Sequence, residues 1–343
     1  MASHGIEIND LYKIFGPHGE KYVEAVKNGM SKAELNEKHG HVLGLKDINI
    51  SMPAGKIQVV MGLSGSGKST LIRHINRLID PTAGSVQYEG VDVCQMAKNE
   101  LMEFRRHKTA MVFQKFALLP HRTVMDNTVY GLEIQGVEKG EAKKRSQKWI
   151  SRVGLDGFED HYPNQLSGGM QQRVGLARAL TNDADILLMD EAFSALDPLI
   201  RTDMQTVLLD IQEELKKTIV FITHDLDEAL RLGDRIAILR DGEVIQQGSG
   251  QEIVLNPADA YIADFIKEVN RGRVITVGTI MNKTPIDSSV TVELKPGDRL
   301  ETAAQAMAQQ EEIHANVRDS NGSLVGSLQL KDTIAAMVTA AKH

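Results

Sequence analysis

Only one cysteine, Cys94, occurs among 343 residues, so no internal disulfide can form. Aromatic residues make up 4% of the chain, too few for a stacking surface that reads single-stranded nucleic acid. No apolar run approaches the roughly 18 residues of a membrane helix. The strongest short run, Ile186 to Met189, is followed at once by Asp190 and Glu191. Neither sign of charge dominates: 39 Lys and Arg stand against 46 Asp and Glu, a formal net of −7. Broad attraction to a nucleic-acid backbone is therefore not expected, and no nucleic acid is counted among the partners. Residues Met1 to Asp10 lack the basic-then-apolar design of a secretion signal, which with the lone cysteine points to a cytoplasmic location. What is present is a hydrophobic content of 42%, enough for a packed core, on a length that suits about two domains.

From Lys56 to Arg240, short apolar or β-branched runs alternate with longer amphipathic stretches, the pattern of an α/β fold with parallel strands. Strands are expected at Ile57–Met61, Thr109–Phe113, Ile186–Met189, Ile219–Thr223 and Ile236–Leu239. A helix is expected from Ser69 to Leu78, stopped near Pro81, and a largely helical region from Val124 to Val153. Residues 17–41 read as a polar insertion in which Ser31 and Glu34 have capping-box spacing before Gly40. After Arg271-Gly272-Arg273 the order is strand (Ser289–Leu294), helix (Leu300–Gln309), strand (Ala315–Asp319), strand (Leu324–Leu328) and helix (Leu330–Ala341), a small α+β module.

Chemistry first appears at Gly62-Leu63-Ser64-Gly65-Ser66-Gly67-Lys68-Ser69, a phosphate-loop pattern placed between an expected strand and an expected helix. The glycines let backbone N–H groups curl around phosphates, the helix N-terminus adds positive dipole, Lys68 reaches the β/γ-phosphates and the Ser69 hydroxyl ligates Mg2+. Such a loop needs a magnesium-supporting carboxylate at the end of a buried strand, and Asp190 supplies it. Glu191 follows directly, placed to polarise the attacking water as general base. To this point the chain reads as a nucleoside triphosphatase of unspecified kind.

Leu166-Ser167-Gly168-Gly169-Met170-Gln171-Gln172-Arg173 narrows the kind, because it resembles the signature motif of ATP-binding-cassette (ABC) ATPases. Ser167, Gly168 and Gly169 would open a helix running to about Leu180 and so form a second anion site. The chain's own phosphate loop is already complete, so this second site, with Gln171, is assigned to the ATP of a partner subunit in a head-to-tail homodimer. The resemblance then implies further roles. Gln114 would touch magnesium and water and link the site to a membrane partner; Asp197, in Ser194-Ala195-Leu196-Asp197, would cross the dimer interface; His224 would sense the γ-phosphate. Phe15 would stack on adenine, and Thr70 would complete the ATP-binding loop. Read singly, each of these residues is bland: a loop Gln, a helix cap, a His at a strand end, a core Phe.

Within the ABC ATPases, the runs Met61 to Thr70, Phe116-Ala117-Leu118-Leu119-Pro120-His121, Asp190 to Arg201 and His224-Asp225-Leu226-Asp227-Glu228-Ala229 look like the glycine betaine/proline importer ATPases. The resemblance implies a P-loop cassette over residues 1–273, with a helical signature subdomain at about 115–182 and the insertion at 17–41. The remainder, 274–343, looks like a single cystathionine-β-synthase-type (CBS) module. There Gly326 to Asp332 matches the run that contacts a nucleotide in such modules, except that Gln329 replaces the hydroxyl residue. Acidic residues outnumber basic ones in this tail, so a cationic surface for anionic lipid is not evident. Dimerisation support and regulatory sensing both remain open for it.

The implied protein hydrolyses ATP with Mg2+ at the cytoplasmic face of the inner membrane. It would energise uptake of a compatible solute of the glycine betaine, proline betaine, choline or trimethylamine N-oxide type through separate permease subunits and a substrate-binding protein. The alternatives are another ABC importer, for instance of an amino acid, an exporter, or a non-transport ABC ATPase. The last is disfavoured because the stretch between Gly67 and Leu166 is short and shows no sustained heptads.

Overall fold

The computed structural model describes residues 5–114, 116–194, 196–284 and 290–338. Contacts divide the chain into two compact units, Met1–Gln247 and Gly248–His343.

The centre of the first unit is a six-stranded sheet whose five expected strands are all present, at Ile57–Met61, Thr109–Val112, Ile186–Asp190, Thr218–Thr223 and Arg235–Arg240. Their order across the sheet is Arg235–Arg240, Ile57–Met61, Thr218–Thr223, Ile186–Asp190, Thr109–Val112, and every one of these pairings is parallel. Glu243–Gly248 adds an edge strand beyond Arg235–Arg240. Ile57–Met61, Ile186–Asp190 and Thr218–Thr223 are buried at every residue. That is why they read as mostly apolar runs, interrupted inside only by the buried Gln58, rather than alternating ones.

A second, antiparallel sheet combines Val42–Met52, Ile6–Phe15, Ala83–Tyr88 and Val91–Asp92 in that order. Between the sheets lies the helix Lys68–Ile75, whose Leu71, Ile72 and Ile75 pack with Ile8 and Ile48 from one side and Val60 and Ile222 from the other. The helix is shorter than expected: it ends at Asn76, and Arg77 turns left-handed with φ 50°.

Residues 17–41 are a folded insertion. The capping box at Ser31 and Glu34 is present, the helix Lys32–His39 ends at Gly40 in the left-handed region, and Leu35 is fully buried with Tyr12, Ile14, Val23, Val26 and Leu43. The helical region comprises Val124–Gln135, Lys139–Arg152 and Gly168–Thr181, packed on one another.

The second unit has the expected strand and helix order. Glu293–Leu294 pairs parallel to His314–Arg318, which pairs antiparallel to Leu324–Gln329; the helices Leu300–Gln309 and Leu330–Val338 pack with them around Val277, Leu294, Val317 and Leu328. Ser289 and residues 339–341, at the ends of expected elements, lie outside the described residues. The expected domain boundary at 273 differs from the observed division at Gln247/Gly248. Arg271 Nη2 donates to Val254 O at 2.7 Å, Arg273 Nε donates to Glu301 Oε2 at 2.9 Å, and Leu255 packs against the unit's core. The Arg-Gly-Arg run at the expected boundary is therefore an internal brace of the second unit.

Candidate functional site

A parallel sheet delivers the carboxyl ends of its strands to one edge, the usual ligand crevice of such folds. Met61 pairs with Thr223, and Asp190 with Ile222, so Gly62, His224 and Glu191 emerge side by side, with Gln114 just past the neighbouring strand. They border a cavity of about 610 Å³ lined by Phe15, Lys32, Val42 to Gly44, Leu63 to Gly65, Gly67 to Thr70, Gln114, Glu191 and His224.

The phosphate loop has the shape its spelling requires. Gly67 has φ 102°, and a Cβ there would sit 2.8 Å from both Gly44 O and Leu45 Cδ2; a Cβ on Gly62 would sit 2.2 Å from Leu239 O. Only glycine fits either place. The helix Lys68–Ile75 has no side-chain cap, so its first N–H groups are aimed at the cavity without a local acceptor. Lys68 Nζ donates to Gly62 O at 2.8 Å and Leu63 O at 3.0 Å, folding back over the loop. Burial pushes its ammonium below the ordinary lysine range, opposed by the charges of Glu191 and Asp190.

Ser69 Oγ donates to Asp190 Oδ1 at 2.8 Å, and Arg73 Nη2 reaches Asp190 Oδ2 at 3.5 Å. Gln114 Nε2 donates to Glu191 Oε2 at 2.7 Å, and His224 Nδ1 lies 3.7 Å from Glu191 Oε1. Glu191 itself is left-handed, φ 47°, a strained placement for a residue with a side chain. The donors fit Mg2+: a hydroxyl, a carboxylate and an amide are hard oxygen ligands, too few to close a cage, leaving positions for phosphate and water oxygens. Among the described residues no group of three or more His, Cys, Asp or Glu lies together that could by itself hold a metal ion.

At the far end Phe15 presents a 39% exposed ring. Gly44 lies under that ring, and Lys13 Nζ stands 5.2 Å from its centroid. Of the residues expected in the ATP site, Gly62, Ser66 and Asp190 lie beneath the lining rather than on it.

Ser167, Gly168, Gly169, Gln171 and Asp197 do not line this cavity. Ser167 Oγ caps its own helix by accepting from Met170 N at 3.3 Å, and Asp197 Oδ1 likewise accepts from Ile200 N at 3.1 Å. Gln171 Nε2 donates to Pro163 O and Leu166 O, bracing the turn before its helix rather than facing outward. Ala195, in the same motif as Asp197, lies outside the described residues. The flagged tail residues Ser327, Gln329 and Asp332 do share a cavity of about 250 Å³ with Asn282 and Thr284.

Sequence reasoning missed Lys32, Gly44, Arg73 and Arg178. Arg73 was findable, since it follows Ser69 by one helical turn on the face that carries Ser69 to Asp190. Arg178 donates to Ala117 O at 2.7 Å and Phe116 O at 3.1 Å, holding two residues that both have φ 49° just after Gln114.

Residues 45–194 match the family model described as ABC transporter. Glycine betaine transport ATP-binding protein OpuAA of Bacillus subtilis is 52% identical over 295 residues, covering 86% of this chain and 69% of its own. Trimethylamine N-oxide transport system ATP-binding protein TmoW of Pelagibacter ubique is 44% identical over 328 residues, covering 96% of each chain. This chain belongs to the ABC transporter ATP-binding proteins. The fold agrees: the dimeric post-hydrolysis structure of the ATP-binding cassette MJ0796, bound to ADP and Pi, superposes with TM-score 0.62 at 32% identity, over 71% of this chain and 98% of that one. The chain is thus an ATPase of the cassette type, and no helix among its described residues is long and apolar enough to cross a membrane.

Proposed function

We propose that this cassette hydrolyses ATP to power uptake of a small quaternary or tertiary amine, of the glycine betaine, proline betaine, choline or trimethylamine N-oxide class, through separate membrane subunits. The observation that carries the chemistry is the convergence of Lys68, Ser69, Gln114, Glu191 and His224 on one cavity at the ends of adjacent parallel strands. The solute class is supported by relatives named for glycine betaine and trimethylamine N-oxide transport.

In this reading Lys68 and the free N–H groups of its helix hold the β- and γ-phosphates. Ser69 and Asp190, with Gln114, hold Mg2+, which when bound offsets negative charge on the phosphate oxygens. Glu191 accepts the proton of the attacking water, Gln114 orients that carboxylate, and His224 faces it from the next strand end. Phe15 carries the adenine. Ser167, Gly168, Gly169 and Asp197, which do not line the chain's own cavity, serve the ATP of a second copy; the dimeric form of the MJ0796 cassette supports this. A membrane partner fits the recess of about 290 Å³ lined by Met102, Arg105, Arg106, Gly131, Ile134 and Asn182, since Met102 and Ile134 are 45% and 48% exposed. The C-terminal unit reads as a single CBS-type module.

Glu191→Gln tests the chemistry and reconstitution tests the cargo. Purified Glu191→Gln should bind ATP with wild-type affinity and lose at least about a hundredfold in hydrolysis. In proteoliposomes holding the full transporter, wild-type turnover should rise with an alkylammonium solute and not with an amino acid that lacks one. Near-normal hydrolysis by the variant overturns the role of Glu191, and stimulation by the wrong solute overturns the cargo.

A further inference from the structure

The phosphate end of the cleft is fixed by Lys68 and Ser69, so a nucleotide bound there extends toward the wall made by Phe15, Val42, Leu43, Gly44 and Lys32. Four of these belong to the paired strands Ile6–Phe15 and Val42–Met52. Lys32 belongs to the inserted segment 17–41, which the phosphate chemistry does not require.

Its backbone is held firmly. Lys32 opens the helix Lys32–His39 directly after the Ser31/Glu34 capping box, and Leu35 one turn on is fully buried against Tyr12, Ile14 and Leu43. The His41 ring lies 2.7 Å from both Pro17 O and His39 O, and Tyr22 packs on His39 and His41 at 4.5 and 4.6 Å. The insertion is thereby folded onto the same strands that carry Phe15 and Gly44. The side chain, in contrast, is only loosely engaged. Its nearest carboxylate is Asp241 at 3.9 Å, and that carboxylate is 78% exposed while the lysine is 45% exposed, a separation and exposure at which an ion pair holds little. An ammonium with three donors thus stands at the end of the cleft opposite the phosphates. The groups a nucleoside offers it are acceptors: the ribose hydroxyl oxygens and the ring nitrogens of the base.

We propose that the insertion is part of the nucleotide site, with Lys32 donating to the ribose or base of the bound nucleoside triphosphate. This rests on the ATP-site reading above, and the test separates the two. The full chain, as wild type, Lys32→Ala and Lys32→Arg, is titrated calorimetrically with Mg-ATP and with inorganic tripolyphosphate, which keeps the phosphates and lacks the nucleoside. Lys32→Ala should bind ATP about three- to tenfold more weakly and tripolyphosphate within twofold of wild type, and Lys32→Arg should recover most of the loss. Equal weakening toward both ligands would reduce Lys32 to a diffuse charge effect, and unchanged ATP affinity would remove it from the site; either overturns the proposal. A wild type that fails to bind ATP would instead overturn the ATP-site reading. Equal melting temperatures of the three proteins show that the comparison is between folded chains.

Discussion

Gly44→Ala separates the proposed Phe15 adenine platform from the phosphate chemistry. Gly44 lies within the strand Val42–Met52 and has no left-handed φ, so alanine suits its backbone. A Cβ there would stand 2.6 Å from Phe15 Cε2 and at an ordinary 3.5 Å from Lys13 O. One neighbour must therefore give, and it is the tip of a 39% exposed ring that has to retreat by most of an ångström. Because that ring can swing outward, the fold should lose at most about 1 kcal/mol, within the range of a surface-proximal adjustment. The ligand loses more. Base-on-aromatic stacking is worth about 1–3 kcal/mol, and a tilted platform forfeits part of it, so ATP affinity should fall about three- to tenfold. Fluorescence titration with a labelled ATP analogue reads this directly, and a double-mutant cycle sharpens it. In a Phe15→Ala background the platform is already gone, so adding Gly44→Ala should cost less than about twofold. Full additivity of the two substitutions would refute the reasoning, since the damage would then travel through the backbone of Gly44, whose carbonyl oxygen stands close to Gly67 and Gly242, rather than through Phe15.

Two further outcomes follow from buried polar groups. Asn127 is fully buried and its amide holds the segment after Phe116: Nδ2 donates to Leu119 O, Arg122 O and Thr123 O at 3.1, 3.0 and 2.9 Å, while Oδ1 accepts from Leu119 N at 2.8 Å. Asn127→Ala strands these groups and should lower stability by about 2–4 kcal/mol in urea unfolding; a loss under about 1 kcal/mol would mean the segment is not held there. His74 is fully buried, with Nδ1 2.7 Å from Thr70 O and Nε2 unpartnered, and burial lowers its pKa from 6.5 to about 4. The native state thus keeps the ring neutral while the unfolded chain protonates it. Its contribution is fully present above pH 6.5 and declines as pH falls toward about 4, by at most about 3 kcal/mol. His74→Met should flatten that part of the stability profile, and an unchanged slope between those two pH values would assign the loss to other groups.

What could be read from sequence divides along a physical line. The phosphate loop, Asp190 and Glu191 were legible because each sits where a buried apolar strand meets its turn, and both features are local. The capping box at Ser31 was legible for the same reason. The antiparallel sheet was not, since its strand Ile6–Phe15 carries register shifts between Ile8 and Leu11, Leu11 and Lys13, and Lys13 and Ile14 that break the alternation. Left-handed Asp10 and Asp47 interrupt the pair as well, and the insertion separates the partners in sequence. Gly44 was invisible because its requirement comes from Phe15, on the neighbouring strand. The contact division falls before the expected boundary at 273 for a related reason: a Cβ on Gly272 would stand 2.7 Å from Met337 Cε and 3.3 Å from Glu301 Cβ, neighbours that no local pattern announces.

The same distinction explains how the cleft is joined to residues that lie outside it. Gln114 and His224 border the cavity, yet each is followed by a segment tied to a distant helix. After Gln114, the left-handed Phe116 and Ala117 are held through their carbonyls by Arg178, which belongs to the helix that begins beside Ser167. After His224, Asp225 faces Arg201 at 3.5 Å and Glu228 accepts from Gln205 Nε2 at 3.1 Å, and both partners belong to the helix capped by Asp197. Glu228 and Gln205 are buried, and burial raises the Glu228 carboxyl above the usual range, while the Arg201–Asp225 pair is partly exposed. A side chain at the γ-phosphate end therefore cannot shift far without loading hydrogen bonds to the elements that start at Ser167 and Asp197. In the proposed dimer these are the two elements that a second copy would meet, so its opening and closing would be coupled to rearrangement of Gln114 and His224.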